Sequence, residues 1–265
     1  MQPGCRKEGL KIQQRITHRL KVRTLHRLGS TVELFLLSAK NMDLLLIAAT
    51  PFEIAPTLHL LQQTFKPTDQ GAYQRGSLVV RPLVSGVGMV ATAWQLGQVF
   101  ARMKPALALQ AGVGGALDQQ LQPGDVLHIV SERFGDLGVE EKDGRLTDLF
   151  ELDLLQINTP PFENGRLVNT RAAGNRFLPA AHGLTVNKVH GAAASIAALR
   201  HQYPDAQVET MEGAAFFYAC LLAEVPFLQI RSISNYVEPR NRAAWELPLA
   251  IENLNVVLQS LLESL

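Results

Sequence analysis

Polar side chains follow several apolar runs of the sequence, and their types suit acid–base chemistry on a bound ligand. Glu53 comes shortly after the run at 44–49, and Asn235 follows the run at 227–233. Glu209 and Glu212 lie just before a segment of small residues. A carboxylate can activate water or accept hydrogen bonds from hydroxyl groups, and a carboxamide both donates and accepts. Ligands of open α/β sheets bind beyond the carboxyl ends of the strands, so these residues are candidates for one site.

Each of these residues also has a simpler structural interpretation. Glu53 at a helix N-terminus would offset the helix dipole, a contribution of about 0.3–1 kcal/mol. Glu209 and Glu212 are three residues apart and would be solvated on one helical face. Asn235 suits a turn. Glu212 fits this interpretation least, because the small and apolar residues after it predict burial.

A glycine-rich segment, AGVGGAL, occupies positions 111–117. Gly112 and Gly114 would let the backbone around Val113 approach a ligand closely. A short glycine-rich segment taken alone is weak support for a site, since the same glycines occur in ordinary turns.

The elements that must position these residues alternate between strands and helices. Apolar runs typical of buried strands lie at 44–49, 78–84, 107–111, 126–131, 184–189 and 227–233. Helical spacing occurs at 54–65, 90–103, 193–203, 211–222 and 247–262. This alternation predicts a single α/β domain with a mixed, mainly parallel central sheet flanked by helices.

Composition excludes several classes of protein. The 265 residues are 47% hydrophobic and 18% charged, which is typical of a globular chain rather than a disordered one. The longest apolar stretches fall well short of the roughly 18 residues that a membrane span needs. Cys5 and Cys220 cannot supply a disulfide framework, and the seven histidines show no metal-ligand spacing. We therefore expect a cytoplasmic protein without a membrane partner, a metal or a cofactor.

The first 41 residues differ from the rest in charge. They carry nine Lys and Arg against two Glu, whereas residues 42–265 carry 16 basic and 22 acidic side chains. The favoured interpretation is an artefact of start-site choice, with Met42 as the true start. A targeting peptide or a nucleic-acid-binding arm is the alternative, although the segment lacks the interleaved aromatic residues of a base-stacking surface. We expect residues 1–41 to be poorly ordered and without function, and no nucleic-acid partner.

Five motifs stand out along residues 42–265: SGVG at 85–88, AGVGGAL at 111–117 followed by Gly124-Asp125, ETMEGAA at 209–215, RSISN at 231–235 and ISNYVEPRNR at 233–242. Taken together and in this order, the motifs resemble those of the nucleoside phosphorylase and nucleosidase superfamily. Within it, the chain resembles the methylthioadenosine/S-adenosylhomocysteine nucleosidases and, more closely, the futalosine hydrolases.

The resemblance implies roles for the candidate residues. Glu53 would orient and deprotonate the attacking water, and its charge would favour the ribosyl cation that forms beside it. Glu212 would accept hydrogen bonds from the 2′ and 3′ hydroxyls of the ribose, with Met211 packed against the sugar. The backbone of Gly112, Val113 and Gly114 would approach the ligand.

Two positions bear on the substrate and on the nucleophile. Relatives that act on adenine nucleosides generally carry Asp where this chain has Asn235, and a carboxamide can pair with O6 and N7 of a 6-oxopurine. Hypoxanthine is the favoured base over guanine, although the change from Asp could also mark an inactive paralogue. Related phosphorylases hold phosphate with Arg and Ser at the positions of Gln110 and Val113, so water is the expected nucleophile.

The segment after Asn235 differs from the adenine-specific relatives. Arg240 and Arg242 would anchor the carboxylate of a 5′ extension, or they are solvated loop residues. The loop at 190–195 lacks the aromatic residue that stacks on the base in relatives, and no replacement is assigned.

The resemblance thus implies hydrolysis of futalosine with release of hypoxanthine, a step of menaquinone biosynthesis, by a homodimer acting on a small-molecule nucleoside. An adenine nucleosidase or a purine nucleoside phosphorylase is the alternative enzyme. A catalytically inactive nucleoside-binding protein is the alternative from another class.

Overall fold

The protein is seen here in a computed structural model that describes residues 42–69, 71–172 and 177–265. The basic extension at 1–41 lies outside the described residues, so the expectations for it remain predictions.

Strands and helices alternate along the described chain. The α-helices are α1 (Pro51–Thr64), α2 (Met89–Phe100), α3 (Ala193–Gln202), α4 (Gly213–Leu222) and α5 (Leu247–Ser264). The strands are β1 (Met42–Ala48), β2 (Lys66–Pro67), β3 (Tyr73–Arg75), β4 (Leu78–Val84), β5 (Leu107–Ala116), β6 (Val126–Phe134), β7 (Gly138–Glu140), β8 (Leu146–Asp148), β9 (Phe162–Glu163), β10 (Arg166–Val168), β11 (Ala180–Thr185), β12 (Val208–Thr210) and β13 (Phe227–Tyr236). Among the residues described, no helix is long and apolar enough to cross a membrane.

The main sheet is mixed, with parallel strands at its centre. Its order is β2-β3-β4-β1-β5-β12-β11-β6-β10-β9, and β13 pairs with both β5 and β6. β1 runs parallel to β4 and β5, β13 parallel to β5, and β11 parallel to β6 and β12. Antiparallel pairings join β13 to β6 and β12 to β5. The predicted α/β fold, a single domain with helices around a mixed sheet, is confirmed.

Five strands pair in a closed ring: β5 with β12, β12 with β11, β11 with β6, β6 with β13, and β13 with β5. The ring brings the ends of three strands together at Gly115 of β5. Gly115 is in register with Glu209 of β12 on one side and with Asn235 of β13 on the other. Two candidate residues that are distant in sequence therefore flank one glycine.

Strand β1 shows why the sheet is covered on both faces. Side chains alternate between the faces of a strand, and a strand buried on both faces is a continuous apolar run. Leu44 and Leu46 belong to the cluster that contains residues of α1 and α5, such as Ile54 and Leu258. The alternate residues of β1 pack in a second cluster with α2 and α4, whose members include Leu45, Ile47, Leu96, Phe216 and Phe217.

Two predicted elements are displaced. The strand expected at 184–189 is β11, Ala180–Thr185, and it ends five residues before His190. Its small and polar residues gave little apolar signal, but its register with β6 fixes its position. The helix expected from 211 begins at Gly213. The interpretation of Glu209 and Glu212 as solvated carboxylates on one helical face is wrong, because Glu209 lies on β12 and both side chains are buried.

Candidate active site

A cavity of about 350 Å³ opens beyond the ends of β1, β5, β12 and β13. A volume of this order, lined by apolar side chains with a few convergent polar groups, is typical of small-molecule sites. Seven of the residues for which the resemblance implies a role line it: Glu53, Val113, Gly114, Met211, Glu212, Asn235 and Arg240.

Glu53 is fixed at the start of α1 by backbone donors. Thr50 precedes the helix, Pro51 occupies its first position, and the Thr50 N–H donates to Oε2 of Glu53 at 2.9 Å. The N–H of Val113, in the second half of β5, donates to Oε1 at 3.2 Å. The carboxylate is buried, so its orientation towards the cavity is set by the backbone of two elements.

Glu212 precedes the first residue of α4 and is also buried. The N–H of Gly88 donates to its Oε1 at 3.0 Å, and Nη2 of Arg231 lies 3.5 Å from its Oε2. Burial raises the pKa of Glu212 above its ordinary value, whereas the charge of Arg231 and the Gly88 N–H act in the opposite direction. The nearby Glu53 carboxylate also raises the pKa of Glu212, so the two acids influence each other electrostatically.

Arg231 on β13 is a buried cation beside both acids, and sequence reasoning assigned it no role. Its side chain is 1% exposed, and Nη2 donates to Oε1 of Gln110 at 3.0 Å. A methyl group on Gly112 would collide with this guanidinium and lie 2.8 Å from Oε1 of Glu53. Gly112 is therefore behind the acids and makes room for Arg231. An Arg inside an apolar strand was the available signal, because a buried cation requires a partner.

Asn235 lies at the end of β13 with its carboxamide held by neighbours. Oδ1 accepts from the Ser234 hydroxyl at 2.7 Å, and Nδ2 donates to the Tyr236 carbonyl at 2.9 Å. A methyl group on Gly115 would lie 3.4 Å from Nδ2, so the glycine leaves space beside the amide. Each polar group of the amide has capacity for one further hydrogen bond to a ligand.

The two arginines of the following loop differ in position. Arg240 lines the cavity, and its Cζ lies 5.7 Å from the centre of the Trp245 ring. Cζ of Arg242 lies 6.0 Å from the same ring, but Arg242 does not line the cavity. Both arginines are exposed. The aromatic residues of the lining, which are candidates to contact a purine, are Phe52, Tyr236 and Trp245.

Glu209 and His190 form a further pair on the cavity wall. Nδ1 of His190 lies 2.5 Å from Oε2 of Glu209, and Glu209 is 4% exposed. Sequence reasoning named Glu209 as a candidate, with solvation as the simpler alternative, and considered His190 only as part of a loop. Neither residue was assigned a role.

Glu132 of β6 is fully buried and lies near Glu212 and Arg231. The Thr185 hydroxyl donates to its Oε2 at 2.9 Å, and its carboxyl group fits against Gly183 and Gly213. Burial raises the pKa of Glu132 to about 8, although Arg231 and the hydrogen bonds from Thr185 and Gln229 act against that shift. Glu132 is therefore mainly protonated at neutral pH. No group of three or more His, Cys, Asp or Glu side chains among the described residues could hold a metal ion.

The model of the phosphorylase superfamily matches residues 43–263. The chain belongs to this superfamily. A futalosine hydrolase of Acidothermus cellulolyticus is 31% identical over 226 residues, which cover 82% of this chain and 88% of that protein. A futalosine hydrolase of Streptomyces coelicolor is 35% identical over 150 residues, 56% of this chain and 61% of the relative, so that match spans less than two thirds of its length.

Among solved structures, the 5′-methylthioadenosine/S-adenosylhomocysteine nucleosidase of Streptococcus pneumoniae, in complex with 8-aminoadenine, has a TM-score of 0.68 at 19% identity. The match covers 84% of this chain and 100% of that one, and it supports the fold. With the relatives above, the predicted superfamily and enzyme class, an N-ribosyl hydrolase, are confirmed.

Replacing Glu132 by Gln should change how stability depends on pH. The folded-state pKa of about 8 lies above the unfolded value, so the wild type loses stability as pH rises from about 5 to 8. A proton that is bound in the folded but not in the unfolded protein lowers the free energy of unfolding by about 1.4 kcal/mol for each unit of rising pH. Glu132→Gln should remove this contribution to the pH dependence of the free energy of unfolding. Urea denaturation of both proteins at pH 5, 6, 7 and 8 measures it.

Glu252→Gln, which alters an exposed carboxylate on α5, is the matched control and should keep the wild-type slope. Equal slopes for the wild type and Glu132→Gln would show that Glu132 is ionised in the folded protein.

Proposed function

We propose that the chain hydrolyses the N-glycosidic bond of futalosine and releases hypoxanthine, with residues 42–265 as the nucleosidase domain. The observation that carries the proposal is that Glu53, Glu212 and Asn235, from three separate elements, line one cavity. Two relatives named as futalosine hydrolases support the choice of substrate.

Glu53 activates the nucleophile. Breaking a purine N-glycosidic bond develops positive charge on the ribose, and water must be placed and deprotonated on the opposite side of C1′. The carboxylate of Glu53 accepts from Thr50 and Val113, which leaves lone pairs for a water molecule. Its negative charge also stabilises the ribosyl cation.

Glu212 holds the sugar. The 2′ and 3′ hydroxyls donate to its carboxylate, and hydrogen bonds to a charged acceptor contribute about 1.5–3 kcal/mol each. Gly88 and Arg231 fix its orientation, and both act against burial, which raises the pKa of Glu212. Met211, also on the cavity wall, packs against the ribose.

Asn235 contacts the base. O6 and N7 of a 6-oxopurine nucleoside are both acceptors, so the free N–H of Nδ2 donates to this edge of the base and stabilises the negative charge that develops on it. The hydrogen bond from Ser234 holds the amide in a fixed orientation.

Water is favoured over phosphate as the nucleophile. The position of a phosphate-binding Arg in related phosphorylases is Gln110, which is fully buried and bonded to Arg231 and Gln229. Val113 supplies no hydroxyl. A dianionic phosphate would also be repelled by Glu53 and Glu212.

Glu53→Gln should lower kcat for futalosine about 10²–10⁴-fold, because a carboxamide cannot accept the proton of water. Hypoxanthine release is measured by chromatography with the full-length chain in phosphate-free buffer. Glu252→Gln should retain the wild-type rate.

The same assay separates the alternative functions. Dependence of the rate on added phosphate would indicate a phosphorylase, and a preference for methylthioadenosine would indicate an adenine nucleosidase. Futalosine binding without turnover by the wild type would indicate an inactive nucleoside-binding protein. A Glu53→Gln rate close to that of the wild type would exclude Glu53 as the base.

Arg240 should contribute to recognition of the benzoate at the 5′ end of futalosine, since it lies at the cavity beside Trp245. Arg240→Met should raise the KM for futalosine about tenfold while leaving the KM for inosine unchanged, as expected for the loss of one charged contact. Arg242→Met is the matched comparison and should have a smaller effect. If neither variant changed the preference for futalosine over inosine, Arg240 and Arg242 would be solvated loop residues without a role in recognition.

A homodimer is proposed from an apolar surface that continues from the cavity. Val90 and Trp94 on α2 are 82% and 65% exposed, and the exposed Val87 and Phe52 also line the cavity. A second copy of the chain that covers this surface would close one side of the site. Trp94→Asp should convert a dimer to a monomer in light scattering, whereas Leu154→Asp, at another exposed apolar residue, should not. A wild type that is monomeric at micromolar concentration would contradict the proposal.

A further inference from the structure

The His190–Glu209 pair has a geometry that leaves one imidazole nitrogen for a ligand. Besides the contact at Nδ1, the backbone N–H of His190 donates to Oε1 of Glu209 at 3.2 Å. A carboxylate accepts hydrogen bonds, so Nδ1 carries a proton and Nε2 is the nitrogen that remains. Within the described chain, Nε2 of His190 has no hydrogen-bond partner, and His190 lines the cavity.

The pair lies across Gly115 from Asn235. Glu209 on β12 and Asn235 on β13 are both in register with Gly115, and all three line the cavity. Residues in register on neighbouring strands point to the same face of a sheet, and Gly115 has no side chain between them. A planar base that contacts Asn235 over Gly115 would therefore have His190 and Glu209 at its other side.

The proposed reaction needs an acid at this position. When the bond between C1′ and N9 breaks, its electron pair goes to the purine, which leaves as an anion unless it gains a proton. The carboxamide of Asn235 donates a hydrogen bond but does not transfer its proton. Glu53 and Glu212 are assigned to the water and the ribose. His190 supplies the imidazole of the wall, and imidazole is well suited to proton transfer near neutral pH.

We propose that His190, held by Glu209, is the general acid that protonates the departing 6-oxopurine. The inference rests on the proposed function and deepens it. As C1′–N9 breaks, Nε2 of His190 gives its proton to the purine, which leaves neutral. Water adds its oxygen to C1′ and gives one proton to Glu53. His190 is then neutral and Glu53 protonated, and proton exchange with solvent restores both.

Several charged groups surround the loop that carries His190. Glu209 faces it from β12, and the backbone N–H of Arg240 donates to the carbonyl of Gly191 at 3.0 Å. On the other side of the loop, Asp136 accepts from the backbone N–H of Asn187. Lys188 is exposed, and the remaining carboxylates of the cavity are Glu53, Glu212 and Glu238. Among these groups Glu209 makes the direct contact with the imidazole, so Glu209 is the positioning residue for its protonated form.

The test compares futalosine with its N7-methyl derivative, using the full-length chain. A base methylated at N7 is already cationic and leaves neutral without an acid. His190→Gln should lower kcat for futalosine about 10²–10³-fold, within the range of general acid catalysis, and should change kcat for the N7-methyl derivative less than about threefold. His201→Gln, at an exposed histidine of α3, is the matched control and should change neither rate.

The outcomes separate this inference from the proposed function. Equal losses on both substrates, or no loss on either, would overturn the acid role of His190 while futalosine hydrolysis stands. A wild type without activity on futalosine would overturn the proposed function and the inference with it.

A second variant distinguishes positioning from a structural role of the pair. In Glu209→Gln, Nδ1 of His190 loses its carboxylate partner, so kcat for futalosine should fall at least about tenfold while kcat for the N7-methyl derivative changes less than about threefold. If Glu209 only holds the loop, kcat would fall equally on both substrates, and this result would also overturn the proposal.

Discussion

The charge of Arg231 is what allows two carboxylates to occupy one buried site. A carboxylate removed from water without a partner is strongly destabilised, and two close together repel each other. Arg231 is fully buried beside Glu212, and Gly112 leaves the space in which the guanidinium approaches Glu53. Removing a partner from such a group leaves an uncompensated buried charge, which is more destabilising than replacing the whole group. The end of the cavity that contains Glu53 and Glu212 therefore depends on Arg231, a strand residue behind it.

Glu132 complements this arrangement by remaining uncharged. A third ionised carboxylate near Arg231 would share its charge with the other two, but burial keeps Glu132 mainly protonated at neutral pH. The positive charge of Arg231 therefore stabilises Glu53 and Glu212, the acids of the cavity. Oε1 of Gln110 accepts hydrogen bonds from both Gln229 and Arg231, so an uncharged side chain contacts the same cation.

The sequence was informative where local pattern and tertiary structure agree. Long apolar runs located β1, β4, β5, β6 and β13, and the strand ends pointed to Glu53 and Asn235. β12 is three residues long, too short for a periodic signal, so Glu209 was assigned to a helix. The contacts of Arg231 and His190 depend on pairing between distant strands, which spacing along one chain does not encode. Arg242 was grouped with Arg240 because both lie in one motif, but only Arg240 reaches the cavity wall.

The closed ring of strands gives the two ends of the cavity different mechanical properties. Glu209 and Asn235 lie on strands hydrogen-bonded to β5 from both sides, so neither can shift without breaking ladder bonds. Arg240 and Trp245 lie on a connection outside the ring, where exchange of side chains disturbs no ladder. Substitutions in such a scaffold are therefore tolerated most easily in the connection. During evolution, the chemical group that fits beside the connection can change, while the end of the cavity with Glu209 and Asn235 remains selective.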